Sequence, residues 1–210
     1  MGVTERRERE RQETRQMILD AARELFVFEG YEAVSMRKIA EKIEYSPTAI
    51  YHHFRDKQAL IEELCVHDFR ALAAAFLSIG RVEDPVERIR RIGQAYVAFG
   101  LGHPSQYRFM FMTAGVNKDS EASLGMKGNP EEDAYAFLRA AVAEAIAGGR
   151  FRPDYADADL VSQIFWAGVH GVVSLHIVHA KETWLEWRDA QATSRAMSDA
   201  IMAGMLRPAT

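Results

Sequence analysis

The sequence has a single cysteine, Cys65, and this scarcity excludes an intramolecular disulfide framework. A lone cysteine is typical of proteins kept in a reducing compartment. No run of apolar residues approaches the ~20 that a membrane-spanning helix requires, because Arg, Glu, His or Gly interrupts each long apolar stretch. The first fifteen residues, MGVTERRERERQETR, lack the apolar segment of a secretory signal. We therefore expect a cytoplasmic protein that makes no membrane contact.

The chain also has no excess of positive charge. Lys and Arg total 26 against 30 Asp and Glu, which gives a formal net charge of −4. Residues 1–60 contain equal numbers of basic and acidic side chains, so even this first part carries about zero net charge. Generic binding to polyanions is therefore excluded. Any binding to DNA must depend on positive charge placed on one surface.

Catalytic and metal-binding motifs are missing as well. The sequence has no nucleophile elbow, HExxH, P-loop or GxGxxG pattern. The histidines at positions 170, 176 and 179 suggest a metal, but no cysteine or carboxylate accompanies them at ligand spacing. We expect no metal site, no cofactor and no enzymatic activity.

Alternating strand patterns do not occur, and apolar residues recur with helical period along almost the whole chain. This pattern predicts an all-α protein. Residues 1–13 alternate Arg and Glu and are predicted to form a flexible arm, either solvated or with its arginines in a minor groove. Residues 115–130 are predicted to form a mobile loop. The predicted helices run over residues 14–29, 36–43, 47–54, 57–79, 86–100, 104–114, 131–147, 158–180 and 190–206.

The second and third helices have the layout of a helix-turn-helix. Ser35 and Ser46 are good N-caps, and Pro47 follows at the first helical position, where its missing N–H costs nothing. The short third helix, YSPTAIYHHF, places small and polar side chains where a recognition helix meets base edges. Thr48, with Tyr51 and His52 one turn on, can face DNA.

Ile50 and Phe54, four residues apart, are predicted to point into the core. The alternative is that Tyr51 packs the third helix against the first. Arg55 and Lys57 lie where the next helix begins and are predicted to contact phosphates. Whether His53 faces DNA or the protein is left open.

Residues 14–64, TRQMILDAARELFVFEGYEAVSMRKIAEKIEYSPTAIYHHFRDKQALIEEL, resemble the DNA-binding region of the TetR family of bacterial transcriptional regulators. The resemblance rests on Ile-Leu-x-Ala-Ala, Leu-Phe and Gly-Tyr in the first helix, Ile-Ala in the second, and Ile-Tyr-His-x-Phe in the third. At the turn, Glu44 replaces the usual Gly and should need a left-handed backbone. Pro47 stands where Lys or Arg is frequent, so one DNA contact should be absent.

The resemblance implies a homodimer with an N-terminal helix-turn-helix domain and a C-terminal helical ligand-binding and dimerisation domain. It implies repression at double-stranded operator DNA, relieved by an unknown small-molecule effector. In the C-terminal part, WAGVHG (166–171) is similar to the Trp…His-Gly signature of a subgroup, and HPSQYRFMF (103–111) is similar to another of its stretches. The expected domains are residues 1–13 as the arm, 14–60 as the helix-turn-helix and 61–210 as the C-terminal domain.

Three sets of candidate site residues follow from these interpretations. The DNA-binding set is Ser35, Arg37, Ser46, Pro47, Thr48, Tyr51, His52 and Lys57. The ligand-binding set is Tyr96, Phe99, His103, Phe109, Met110, Phe137, Trp166 and His170. The dimerisation set is Phe165, Val169, Val172, Met197, Ile201 and Met205.

Other interpretations stay open at this point. The ligand-binding set has the spacing of ordinary core residues, and Trp166 with His170 and Gly171 can serve packing alone. The protein can also be a DNA-binding regulator without a ligand. A third alternative is a helical small-molecule-binding or protein-interaction module whose helix-turn-helix has degenerated.

Overall fold

The computed structural model describes residues 2–114, 125–179 and 181–208, and over these residues the chain is helical, with no β-strand. The helices are α1 (Val3–Glu29), α2 (Met36–Lys42), α3 (Pro47–Tyr51), α4 (Lys57–Leu77), α5 (Pro85–Gly102), α6 (Pro104–Met112), α7 (Ala134–Ala147), α8 (Ala158–His179) and α9 (Ala190–Met205). A short 3-10 helix, Pro153–Tyr155, precedes α8. The predicted all-α class is confirmed.

The chain divides into two compact units. The first unit combines residues 1–68 with residues 105–125, and the second combines residues 69–104 with residues 126–210. The first unit therefore contains α1, α2 and α3, the first part of α4, and nearly all of α6. The expected domain boundaries after residues 13 and 60 stay a prediction.

The start of α1 differs from the sequence-based expectation. The helix begins at Val3, although the sequence predicted a helix from Thr14. The residues before Thr14 have few apolar side chains, which argues against burial but not against helix formation. Arg and Glu are good helix formers, and adding turns to a helix that already exists is much easier than nucleating one.

The predicted loop at residues 115–130 can be compared with the structure only in part, because residues 115–124 lie outside the described residues. The following helix, α7, starts at Ala134 and not at Glu131 as predicted. Asp133 caps it, since its carboxylate accepts hydrogen bonds from the backbone N–H of Tyr135 (2.9 Å) and Ala136 (3.2 Å).

The first unit has an apolar core built from α1, α3, α4 and α6. Ile18 and Phe26 of α1, Ile50 of α3, and Leu60 of α4 are fully buried. The rings of Phe26 and Phe109 lie 6.1 Å apart between centroids, which places α6 against α1. This core fixes the position of the short helix α3.

A buried ion pair joins three helices of the first unit. The guanidinium of Arg23 in α1 donates two hydrogen bonds to the carboxylate of Asp68 in α4, at 2.8 and 2.7 Å. Gln106 of α6 donates a further hydrogen bond to Asp68, at 3.0 Å. Asp68 has no exposed surface. Burial alone lowers the pKa of Arg23, but Asp68 and Asp20 outweigh this effect, so the pKa is raised.

In the second unit, α5 packs against α7, α8 and α9. Two glycines allow these helices to approach closely. A Cβ atom on Gly93 of α5 would lie 3.1 Å from the ring of Phe165 in α8. A Cβ atom on Gly168 of α8 would lie 2.5 Å from the sulfur of Met197 in α9. These contacts place α8 against both α5 and α9, which also pack against each other.

Helix α8 is long and apolar enough to cross a membrane by length and composition alone, although the sequence analysis expected no such segment. Its glycine, alanine and histidine residues interrupt the apolar run without making the helix polar overall. Core helices of soluble proteins share this length and composition. Only 33% of its most apolar stretch is buried within this chain.

Replacing Asp68 by Asn should destabilise the protein by about 3–5 kcal/mol, because the buried Arg23 charge would lose its counter-charge. Urea denaturation followed by circular dichroism measures this loss. Asp199→Asn is the matched control, since the carboxylate of Asp199 stays 67% exposed in its ion pair with Arg90 and the pair contributes at most about 1 kcal/mol. Equal losses from the two substitutions would contradict the account.

Candidate nucleic-acid interface

Two serine caps begin α2 and α3, and one strained residue lies in the turn between these helices. The Ser35 hydroxyl accepts a hydrogen bond from the N–H of Lys38 and the Ser46 hydroxyl from the N–H of Ala49, both at 3.2 Å. Pro47 occupies the first turn of α3. Glu44 has a φ of 59°, the left-handed backbone predicted for it, at a cost of about 1–2 kcal/mol. The helix-turn-helix connection predicted from the sequence is confirmed.

Helix α3 has one buried side and one exposed side. Ile50 and, just beyond the helix, Phe54 are 0% and 3% exposed, so both predicted anchors are confirmed. Thr48, Tyr51 and His52 are all exposed, and Tyr51 retains 53% of its accessible surface. The alternative in which Tyr51 packs α3 against α1 is therefore wrong. Residues 48, 51 and 52 share one helix face, and none of them is part of the buried core.

Arg15 of α1 holds the C-terminal end of α3 in place. Its guanidinium donates to the backbone oxygen of His53 at 2.7 Å, pairs with the carboxylate of Glu63 in α4, and lies 4.3 Å from the Phe54 ring centroid. His53 is half-buried, and burial lowers its pKa, helped by the charges of Arg15, Arg11 and His52. The C-terminal end of α3 is therefore fixed by Arg15, while the other side of the helix stays exposed.

Lys57 has partners within its own chain. Its ammonium donates to the backbone oxygen of Tyr31 and lies 3.8 Å from the centroid of the Tyr31 ring. Burial lowers the pKa of Lys57, and Glu32 partly opposes this decrease. The sequence analysis missed this role, because Tyr31 lies far away along the chain. A phosphate contact by Lys57 stays a prediction.

The cations of α2 are also partnered by carboxylates. Lys38 pairs with Glu29, Lys42 pairs with Glu24 of α1 at 2.9 Å, and Arg37 pairs with Glu41 at 2.8 Å. At the start of α4, Arg55 pairs with Asp56 at 3.1 Å. The predicted interface is therefore less positive than its number of basic residues suggests.

The structure separates the predicted ligand-binding set. Phe109 and Met110 are buried in the first unit, whereas the other six residues belong to the second. There, the indole N–H of Trp166 donates to the hydroxyl of Tyr96 at 3.0 Å, and that hydroxyl lies 3.3 Å from Nδ1 of His170. Burial lowers the pKa of His170. Three of the predicted residues thus form one hydrogen-bonded chain.

The remaining members of the set lie elsewhere in the second unit. Phe99 is buried and its ring contacts His103, which is exposed, at 5.1 Å between centroids. Phe137 is half-buried against Phe76. The sequence analysis missed Tyr135, whose ring lies 6.1 Å from that of Trp166. Tyr135 is N-terminal in α7 and no motif surrounds it, so the sequence carried no signal for this contact.

Most side chains of the predicted dimerisation set are buried within their own protomer. Phe165, Val169, Val172 and Met205 are between 2% and 8% exposed, so they form the core of the second unit. The other two members, Met197 and Ile201, pack on Gly168 of α8. The four buried side chains are thereby removed from the surface that a second copy could reach, whereas Met197 and Ile201 are only half-buried.

His176 of α8 has backbone partners, whereas Nδ1 of His179 lies 3.0 Å from a carboxylate oxygen of Glu182. Nδ1 of His176 lies 2.8 Å from the carbonyl oxygen of Val172, and Nε2 lies 3.1 Å from that of Arg188. In the described part of the chain, no group of three His, Cys, Asp or Glu side chains could hold a metal ion.

Replacing Tyr51 by Ala should weaken binding to specific DNA about tenfold or more while leaving the unfolding free energy within about 0.5 kcal/mol. Fluorescence anisotropy with labelled duplex and urea denaturation measure the two quantities. Ile50→Ala is the contrasting variant, because removing this buried anchor should cost about 2–5 kcal/mol of stability. A Tyr51 variant that loses stability and DNA binding together would make Tyr51 a structural residue.

Comparison with known families gives two matches. Residues 18–64 match the profile of bacterial regulatory proteins of the tetR family, and residues 89–201 match the tetracyclin repressor-like C-terminal domain. The chain is 42% identical over 81 residues to the transcriptional regulator UidR of Escherichia coli strain K12. It is 39% identical over 69 residues to the transcriptional repressor AcnR of Corynebacterium diphtheriae.

These matches cover only part of each protein. The aligned stretch spans 38% of this chain and 38% of UidR, and 33% of this chain and 36% of AcnR. The chain therefore spans little more than a third of the length of the curated relatives it matches.

Solved structures match over nearly the whole chain. A TetR family regulator from Marinobacter aquaeolei superposes with a TM-score of 0.77 at 19% identity, covering 96% of this chain and 100% of that one. PfmR, a TetR family regulator from Thermus thermophilus, gives a TM-score of 0.69 at 26% identity, covering 91% and 96%. With a C-terminal profile that spans more than half of its residues, this chain belongs to the TetR family of DNA-binding transcriptional regulators.

Proposed function

We propose that this protein is a transcriptional repressor that binds operator DNA as a homodimer and is released by a small-molecule effector. The observation that carries the proposal is the two-sided helix α3. Ile50 is fully buried, and Thr48, Tyr51 and His52 are exposed on the other side. A helix this short, with its apolar side buried, has an exposed face suited to a major groove. AcnR, which is named a repressor, supports the sign of regulation.

The homodimer is supported by the unburied side of α8. Leu160, Leu175 and Val178 are 46%, 48% and 42% exposed, and Ala167 and Gly171 lie between them on the same face. Apart from the two adjacent residues and the backbone of α8 itself, no described atom lies within 4 Å of the Cβ position at Gly171, so another helix can approach closely there. Helix α9 exposes a row of small residues, Ala192, Ala196, Ala200 and Ala203.

Two copies pairing α8 and α9 would form a four-helix bundle and cover these apolar faces. This replaces the interface predicted from sequence, whose residues are mostly buried in the protomer. A two-fold dimer would present two α3 helices to half-sites about one helical turn, ~34 Å, apart.

An effector site is supported by the chain of Trp166, Tyr96 and His170 in the second unit. Small-molecule sites are mostly apolar and contain a few polar groups that fix the orientation of the ligand. Aromatic rings joined by hydrogen bonds offer that combination. These residues are the proposed contacts of the effector.

The release step is supported by the path of α4, which begins beside the helix-turn-helix and contributes to both units. Asp68, where the first unit's part of α4 ends, is bonded to Arg23 of α1 and Gln106 of α6. A shift of α4 or α6 would disturb the ion pair that holds α1. An effector that prefers the shifted state would thereby change the spacing of the two α3 helices.

Effector and operator should weaken each other's binding by the same factor, since the coupling between two sites is reciprocal. An effector is first identified by the rise in melting temperature that it causes across a library of lipophilic compounds. Isothermal titration of that compound, with and without a saturating operator duplex, then measures the coupling. Equal affinities in the two titrations would contradict ligand-released repression and favour a regulator without ligand control.

Replacing Ala167 by Arg should convert the dimer to monomers, because it places a charge on the apolar face of α8. Sedimentation equilibrium measures the mass, and the affinity for a two-half-site duplex should fall with it. Ala140→Arg is the matched control, since Ala140 is exposed on α7, away from the proposed bundle. If the Ala167 variant formed dimers with an unchanged dissociation constant, the dimer interface would have to lie on another surface.

A further inference from the structure

Helix α1 extends well beyond the part of the first unit that has a core. Residues 4–13 are all exposed, and the first buried residue is Ile18. At 1.5 Å per residue, the helix continues for about 16 Å before Thr14. This extension, residues 3–13, lies entirely before the family profile, which begins at residue 18.

The charges of the extension are sorted by helix face. Arg6 pairs with Glu10 at 3.4 Å, Gln12 donates to Glu8 at 2.8 Å, and Glu5 accepts from the N–H of Gly2 at 3.0 Å. These contacts occupy three of the four carboxylates of the extension. The face of the helix that makes none of these contacts carries positive charge from its arginines.

Arg7 and Arg11, one turn apart, lie on that face. Within residues 2–114, 125–179 and 181–208, neither side chain forms an ion pair with a carboxylate. The same face continues to Arg15 one turn further on. Arg7, Arg11 and Arg15 therefore form a row of three guanidinium groups at four-residue spacing, of which only Arg15 is paired with a carboxylate, that of Glu63.

The row begins at the recognition helix. Arg15 donates to the backbone oxygen of His53, directly after α3, at 2.7 Å. Arg11 is one turn before Arg15 and therefore lies on the same, α3-facing side of α1. Burial lowers the pKa of His53, and the positive charges of Arg15 and Arg11 add to that decrease. Starting from the end of α3, the row runs outward along α1.

We propose that Arg7 and Arg11 form a second DNA contact, in which they bind phosphates flanking the groove that α3 enters. This inference rests on the proposed function. Elsewhere in the first unit, Lys38, Lys42 and Arg37 are paired with carboxylates of their own chain. Arg7 and Arg11 have no such competitor, and a guanidinium binds a phosphate with two parallel hydrogen bonds.

A rigid helix, unlike a flexible arm in a minor groove, holds these arginines at a fixed distance from α3. The contact is therefore with the backbone and carries no sequence information of its own. The contact would supply local positive charge to a chain whose overall net charge is −4.

The test compares two double variants with the same change in net charge, Arg7→Gln with Arg11→Gln, and Arg6→Gln with Arg9→Gln. The second pair lies on the opposite face of α1 and serves as the control. Binding of the full-length protein to an operator duplex is measured by anisotropy at salt concentrations between about 50 and 200 mM. The duplex is either trimmed to the operator or extended by six base pairs on each side.

The first variant should reduce the slope of log K against log salt by about 0.9 for each lost phosphate contact, or about 1.8 for each protomer. The wild type should bind the extended duplex more tightly than the trimmed one, and the first variant should lose this difference. The control variant should keep both the wild-type salt slope and the tighter binding to the extended duplex. Equal changes in the two variants, or none in the first, would overturn this inference while leaving the proposed function intact. A wild-type protein that binds no specific duplex would overturn both.

Discussion

The first unit depends on the ion pair between Arg23 and Asp68. Removing two charges from water costs several kcal/mol for each ion, and the cost is recovered only where the geometry is good and the remaining polar atoms are bonded. Here the guanidinium and carboxylate form two parallel hydrogen bonds, and Gln106 donates a third hydrogen bond to Asp68. Because the three partners come from α1, α4 and α6, they specify how these helices pack in a way that apolar contacts alone would not.

The recognition helix is stable only because other elements hold it. Five residues are too few for a helix to persist alone in water. Ser46 caps one end, Ile50 anchors the middle, and Arg15 binds the carbonyl at the other end. These contacts leave the side of α3 that bears Thr48, Tyr51 and His52 exposed. Neighbouring lysines are neutralised by carboxylates, which limits the affinity for DNA of arbitrary sequence.

Local features were predictable from the sequence, and features that depend on distant partners were not. The caps at Ser35 and Ser46 and the anchors Ile50 and Phe54 follow from neighbouring residues, and the structure confirms them. The left-handed backbone of Glu44 was predicted from the family resemblance and is also confirmed. The roles of Asp68 and Lys57 depend on Arg23 and Tyr31, which are far away in the chain.

Helix α8 was difficult for a different reason. Because it is apolar on nearly every side, periodicity cannot separate the face that packs in the protomer from the face left exposed. The predicted dimer contacts at Phe165 and Val169 therefore fell on the buried face. In α1, the low apolar content of residues 1–13 indicated exposure but was a poor guide to backbone structure.

Sequence-specific DNA binding is the central claim, and selection of sheared genomic DNA on the purified protein tests it most directly. The recovered fragments are sequenced and their affinities are measured again at two salt concentrations. The account predicts a shared pseudo-palindrome whose half-sites lie about one helical turn apart, with affinity falling steeply as salt rises. Protein that has been unfolded and refolded to remove any bound effector, and that still enriches no sequence, would contradict the account.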